Sequence, residues 1–192
     1  MQVHSSSGWV AVFGDGGAVI GTLSGLLLLV LVAAGIARRA RGLVALTGIA
    51  LAGVLAVTVV PNGGWARFAL APDAVESIRA NLRPQPGDLS AWAHAADGPL
   101  NVALFVPLGL FLALLLRRPA LATVAAVALS VGIECYQASL TTRVGAFADV
   151  VANGLGALVG AALATVLLVV LPVRQPGQPP ARNVSRSAAS PV

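Results

Sequence analysis

The polar chemistry of this chain is concentrated in one stretch, ALSVGIECYQASLTTRVGAFADVVANGLGALVG, residues 128–160. Glu134 and Asp149 bring carboxylates, which can move protons or hold a polar ligand, and Arg143 brings a guanidinium suited to phosphate or carboxylate. Gln137 and Asn153 add carboxamides and Ser130 a hydroxyl, all able to orient a ligand; Asn101 lies upstream. The spacing is helical. Ser130, Glu134 and Gln137 stand at i, i+4 and i+7, while Asp149, Asn153, Gly156 and Gly160 stand at i, i+4, i+7 and i+11. Residues so spaced share one face of a helix, so two helices each carry a polar stripe. The Gly156 and Gly160 pair reads as a small-xxx-small packing face rather than as chemistry.

The helices that carry these stripes belong in a membrane. Of 192 residues, 57% are hydrophobic and only 10% charged, with a mean hydropathy of +0.88; a soluble domain has roughly a quarter of its residues charged. Five apolar runs, at 18–37, 43–60, 100–116, 120–137 and 150–171, come near the roughly 20 helical residues that cross the hydrocarbon layer. They lack the polar outer face of a soluble helix, and backbone in lipid must satisfy its own hydrogen bonds. The expected fold is all-α: a polytopic membrane bundle of about five transmembrane helices forming a single domain, 1–172. The Pro- and Ser-rich tail, 173–192, is expected to be disordered and cytoplasmic.

All twelve basic residues are arginines. Arg38, Arg39 and Arg41 fill the first connection, Arg117 and Arg118 the third, and Arg174, Arg182 and Arg186 the tail, with no acid among them. The second connection, 61–99, mixes Arg67, Arg79 and Arg83 with Asp73, Glu76, Asp88 and Asp97. Basic connections stay in the cytoplasm, which predicts the N-terminus outside and the C-terminus inside. The pI of about 11.3 then reflects topology, and no nucleic-acid partner is expected.

That topology places Glu134 and Gln137, Asp149 and Asn153, and Asn101 at the outer ends of three different spans, with Arg143 in the short hairpin between the last two. An acid at the centre of a membrane helix costs roughly 3 kcal/mol on insertion scales. Two readings stay open: an Arg143–carboxylate clamp that ties the hairpin to the bundle, and a polar pocket facing outwards. The number of polar groups exceeds what one clamp needs, which favours the pocket. Trp65, Phe68 and Trp92 are expected at the outer interface. His94, with Asp97, is a lone loop histidine and reads as solvated. Cys135, alone, reads as a buried small hydrophobe. No His pair, Cys cluster, phosphate loop or nucleophile elbow is present in the sequence, so neither metal nor cofactor is expected, with an oxygen-ligated cation the one alternative left open.

In this order, the residues resemble the VanZ-like family of bacterial membrane proteins. The resemblance rests on NVALFVPLG (101–109), then S-x3-E-x2-Q (Ser130, Glu134, Gln137), then Arg143, then D-x3-N-x2-G-x3-G (149–160), and covers about 97–162. The family pattern sets acids three and six positions beyond the arginine; here the third is Ala146 and the sixth Asp149, so Glu134 stands as the second carboxylate. The resemblance implies a multi-pass protein of the bacterial cytoplasmic membrane that acts in cell-envelope function or in resistance to teicoplanin, a lipid-tailed glycopeptide. It also implies membrane lipids as partners, and a lipid-linked cell-wall precursor or the lipoglycopeptide itself as ligand. Asn101, Ser130, Gln137, Arg143 and Asn153 would bind that ligand. Three alternatives remain on the residues. In one, Glu134 and Asp149 are the catalytic acid and base of a membrane-embedded hydrolase or transferase on a lipid-linked envelope substrate. The others are a small transporter and a purely structural bundle.

Overall fold

The computed structural model describes residues 16–37, 40–87 and 97–170. Five long helices follow the apolar runs: α1 (Gly16–Ile36), α2 (Arg41–Val59), α4 (Asp97–Leu116), α5 (Pro119–Ala138) and α6 (Phe147–Val170). All five are long and apolar enough to cross a membrane. Between α2 and α4 lies a short helix, α3 (Ala74–Asn81). His94, Trp92, the N-terminal segment 1–15, Arg38 and Arg39, and the tail lie outside the described residues, as does the side chain of Asp97.

Each helix ends for a local reason. Val60 is forced into extended backbone by Pro61 and closes α2. The PNGG sequence that follows turns on Gly63 and Gly64, both at positive φ, where an L side chain is strained. α4 joins α5 through only Arg117 and Arg118, with Arg117 itself in the left-handed region at φ 54°. Pro119 then opens α5 at its first turn, where its missing N–H goes unnoticed.

α4 and α6 form the centre of the bundle, and their backbones touch. A Cβ added to Gly109 would strike the Ala157 backbone, and one added to Gly156 or Gly160 would strike the Val102 or Val106 carbonyl. Glycine permits this approach because dispersion contacts, rather than a hydrophobic drive, hold helices together in lipid. Phe105 and Leu108 of α4, Val54 of α2, Ala126 and Ile133 of α5 and Ala157 of α6 form the buried core. A second layer is built almost wholly of alanines: Ala113, Ala122, Ala161 and Ala164. α1 buries none of its membrane window and leans on α2, where Gly48 sits beneath Val30.

A strap crosses one end of the bundle. Leu70 pairs with Leu140 in an antiparallel bridge, Ala71 N–H donates to the Ser139 carbonyl at 2.8 Å, and Thr141 N–H donates to the Ala69 carbonyl at 3.0 Å. Ser77 of α3 donates to the Ala138 carbonyl at 2.7 Å, and Asn62 to that of Thr142 at 2.8 Å. The second connection is thereby fixed to the α5–α6 hairpin. Trp65 and Phe68 are exposed beside it, and the Trp65 indole donates to Thr22 of α1 at 2.9 Å.

Candidate functional site

The end of the bundle beneath the strap collects the polar side chains. Asn101, in the second turn of α4, donates to Asp149 Oδ1, in the first turn of α6, at 2.6 Å. One turn deeper, Asn153 Nδ2 of α6 donates to Ser130 Oγ of α5 at 2.9 Å. Glu134, one turn above Ser130, accepts the Ala146 N–H on Oε2 at 3.0 Å. Three contacts thus tie α4, α5, α6 and the hairpin together at one end of the bundle. Ser130, Glu134 and Asn153 are 0–2% exposed, so these bonds form where water cannot substitute for them.

Glu134 reaches Ala146 because Gly145 lies against the end of α5: a Cβ there would strike the Glu134 carbonyl and crowd Ala138. Ala146 immediately precedes the first residue of α6. Both Glu134 and Asp149 therefore sit at the positive end of the α6 macrodipole, which favours negative charge. The two carboxylates are close enough for their charges to interact. At Ala146 the backbone, not the side chain, meets Glu134.

Arg143 and Gln137 point elsewhere. Arg143 donates from Nη2 to the carbonyls of Val57 at 2.9 Å and Val60 at 2.7 Å, and from Nε to Val60 at 3.2 Å. Gln137 donates to the Thr58 carbonyl at 3.0 Å, and the Tyr136 hydroxyl to that of Val59 at 3.0 Å. A helix leaves its last four carbonyls without intrahelical donors; residues 57–60 of α2 are those carbonyls, and three side chains of α5 and the hairpin satisfy all four. The positive guanidinium also meets the negative end of the α2 dipole. Burial holds Arg143 below the ordinary arginine range, and the Glu134 and Tyr136 charges oppose that shift.

The seven site residues expected from sequence thus separate into two groups. Asn101, Ser130, Glu134, Asp149 and Asn153 come together at the junction of α4, α5 and α6. Gln137 and Arg143 form the cap on α2. Tyr136, the chain's single tyrosine, belongs to that cap and is missed by the sequence reading. Its position between Glu134 and Gln137 near a helix end was the available signal. Cys135 is half-buried.

Residues 47–169 match the family described as VanZ/LLP1. The match spans more than half of the chain and every element of the junction and the α2 cap. The chain belongs to the VanZ family. No curated protein and no solved structure matches it significantly. Family membership and five apolar spans together make it a multi-pass membrane protein in contact with membrane lipids.

Proposed function

We propose that this VanZ-family protein acts in the bacterial cell envelope, from the cytoplasmic membrane, with resistance to glycopeptides of the teicoplanin type as the associated function. Its site is the junction of Asn101, Ser130, Glu134, Asp149 and Asn153, facing the extracytoplasmic side, and its ligand is a polar portion of a lipid-linked cell-wall precursor or of the lipoglycopeptide. The arginine-rich connections support that orientation, since they favour the cytoplasm at the opposite end of the bundle. One observation carries the reading. Asn153 is 2% exposed, yet its Oδ1 has no hydrogen-bond partner. A buried amide oxygen left unpaired costs about 1–3 kcal/mol; Thr47, Asn62 and Thr142 also leave a buried atom unpaired, but Asn153 stands one helical turn from Asp149 and is bonded to Ser130, one turn from Glu134. Rotating the amide exchanges which atom is orphaned without removing the orphan.

A second reading, acid/base hydrolysis or transfer on a lipid-linked substrate, is favoured by the interaction between Glu134 and Asp149. Two neighbouring carboxylates can divide the roles of acid and base. Product formed by purified protein and lost in Glu134→Gln would establish it.

The test of the leading reading is teicoplanin and vancomycin susceptibility in a deletion strain complemented with wild type, Glu134→Gln or Asp149→Asn, with membrane abundance measured for each. Selective protection against teicoplanin by wild type, lost in equally abundant variants, is the expected result. Unchanged susceptibility throughout removes the resistance function.

A further inference from the structure

The half of the bundle away from the junction holds a groove between α1 and α2. Leu26 and Ala33 line it from α1, Val44 and Leu55 from α2, and Leu115 from the end of α4. Its volume of about 380 Å³ is that of a small-ligand site, roughly 300–1,000 Å³. From Val44 to Leu55, α2 climbs about 16 Å at 1.5 Å per residue, one leaflet of a hydrocarbon layer about 30 Å thick. Spread over that length, the volume is a channel on the order of 5 Å across. A helix with its side chains is about 10–12 Å wide and does not fit. A single hydrocarbon chain does, since carbon atoms pack at about 3.5–4.0 Å. Three helices hold such a chain by dispersion, where ordinary lipid touches one face.

The groove ends beside arginines. Arg41 opens α2 one turn before Val44, and Arg117 and Arg118 follow Leu115 immediately past the end of α4. All three are exposed, and among the described residues none of their guanidinium groups takes an ion pair or hydrogen bond. The two connections that carry them hold no acid. Arg41 also lies at the positive end of the α2 dipole, where a bound anion is favoured and a lone cation is not. Guanidinium groups match phosphate with parallel hydrogen bonds, and basic pockets between membrane helices hold anionic head groups. Thr47 lines the groove six residues inward, about 9 Å from Arg41 along the helix. Thr58, Thr123 and Thr165 donate to the carbonyl four residues back, whereas the Thr47 hydroxyl has no partner. A hydroxyl can donate or accept, and a glycerophospholipid carries its ester oxygens just inside the phosphate.

We propose that this groove binds an anionic phospholipid, with one acyl chain lying between α1 and α2 and its phosphate received by Arg41, Arg117 and Arg118. The bound lipid fastens α1, which buries none of its membrane window, to the rest of the bundle. The site lies at the other end from the junction and does not depend on how the junction is read.

The experiment uses the full chain, purified in detergent micelles, and follows its unfolding midpoint with phosphatidylglycerol or phosphatidylcholine of identical acyl chains. At about ten times Kd, phosphatidylglycerol should raise the midpoint by about 3–6 °C over phosphatidylcholine. Each arginine near an anionic head group is worth about fivefold in affinity. In the double variant Arg41→Gln with Arg117→Gln, binding should therefore weaken roughly thirtyfold, and the rise should fall below about 1 °C. Both side chains are exposed, so this variant should match wild type in phosphatidylcholine. Ala33→Phe, which fills the groove, should abolish the rise as well; where it folds poorly, the arginine variant still decides. Equal midpoints in the two lipids overturn the proposal, as does a rise that persists in the arginine variant. A rise that survives Ala33→Phe, or one matched by soluble glycerol phosphate, leaves the groove without a role and also overturns it. A dimer seen by light scattering in lipid-free micelles and dissociated by Ala33→Phe would place a second copy in the groove instead of a lipid.

Discussion

Replacing Arg143 separates a structural arginine from a ligand-binding one. In Arg143→Ala, the carbonyls of Val57 and Val60 lose their donors. Each unsatisfied buried carbonyl costs about 1–3 kcal/mol, and loss of the charge at the α2 C-terminus adds roughly 0.3–1 kcal/mol. Arg143 is only partly buried, so water recovers some of this, and about 3 kcal/mol is the expected loss. For a chain of this size that corresponds to a fall in midpoint on the order of 10 °C. Arg143→Lys keeps the charge but has a single ammonium in place of the fork, so it should recover roughly half. Gln137→Leu and Tyr136→Phe each orphan one carbonyl, of Thr58 and Val59 respectively, and should cost about 1–2 kcal/mol apiece. The assay is thermal unfolding of each purified variant in one detergent, with Ala the least stable and Lys comparable to the single-bond variants. An Arg143→Ala protein that unfolds within a degree or two of wild type would refute the capping argument and return this arginine to the ligand site.

Other outcomes follow from the same geometry. Gly156→Val drives side-chain atoms into the Val102 carbonyl of α4 and should leave little monodisperse protein on size-exclusion chromatography. Gly132→Ala, where a Cβ meets open space, should elute as wild type. A double-mutant cycle on Asn101→Leu and Asp149→Leu should return a coupling of about 1 kcal/mol in chemical unfolding, in the upper range for interhelical bonds in membranes. Arg117→Gly relieves a non-glycine residue at φ 54° and should raise the unfolding midpoint through a gain of up to about 1 kcal/mol. An alkaline phosphatase fusion at the C-terminus should be inactive and one within the second connection active, as the arginine-rich connections require.

The span boundaries were legible because hydropathy is a sum over neighbours in the chain. Residues 43–60 and 120–137 became Arg41–Val59 and Pro119–Ala138, and the proline and arginine signals at their ends account for the shifts. The polar stripes were legible too, since helical register needs no partner: Ser130 and Asn153, and Asn101 and Asp149, do meet. The helix α3 was not foreseen. Eight residues of mixed polarity carry no membrane signal, and α3 is anchored to the hairpin through Ser77.

What sequence alone determined is therefore everything set by local period and composition: the five helices, their glycine faces and the depth at which polar groups gather. What only the tertiary structure decided is where each donor is spent. Arg143 and the carboxylates lie a few residues apart, and charge alone would pair them. The end of α2, 77–86 residues earlier in the chain, instead presents four carbonyls, and those claim Arg143, Gln137 and Tyr136. The demand of a helix end is invisible until another helix is packed beside it.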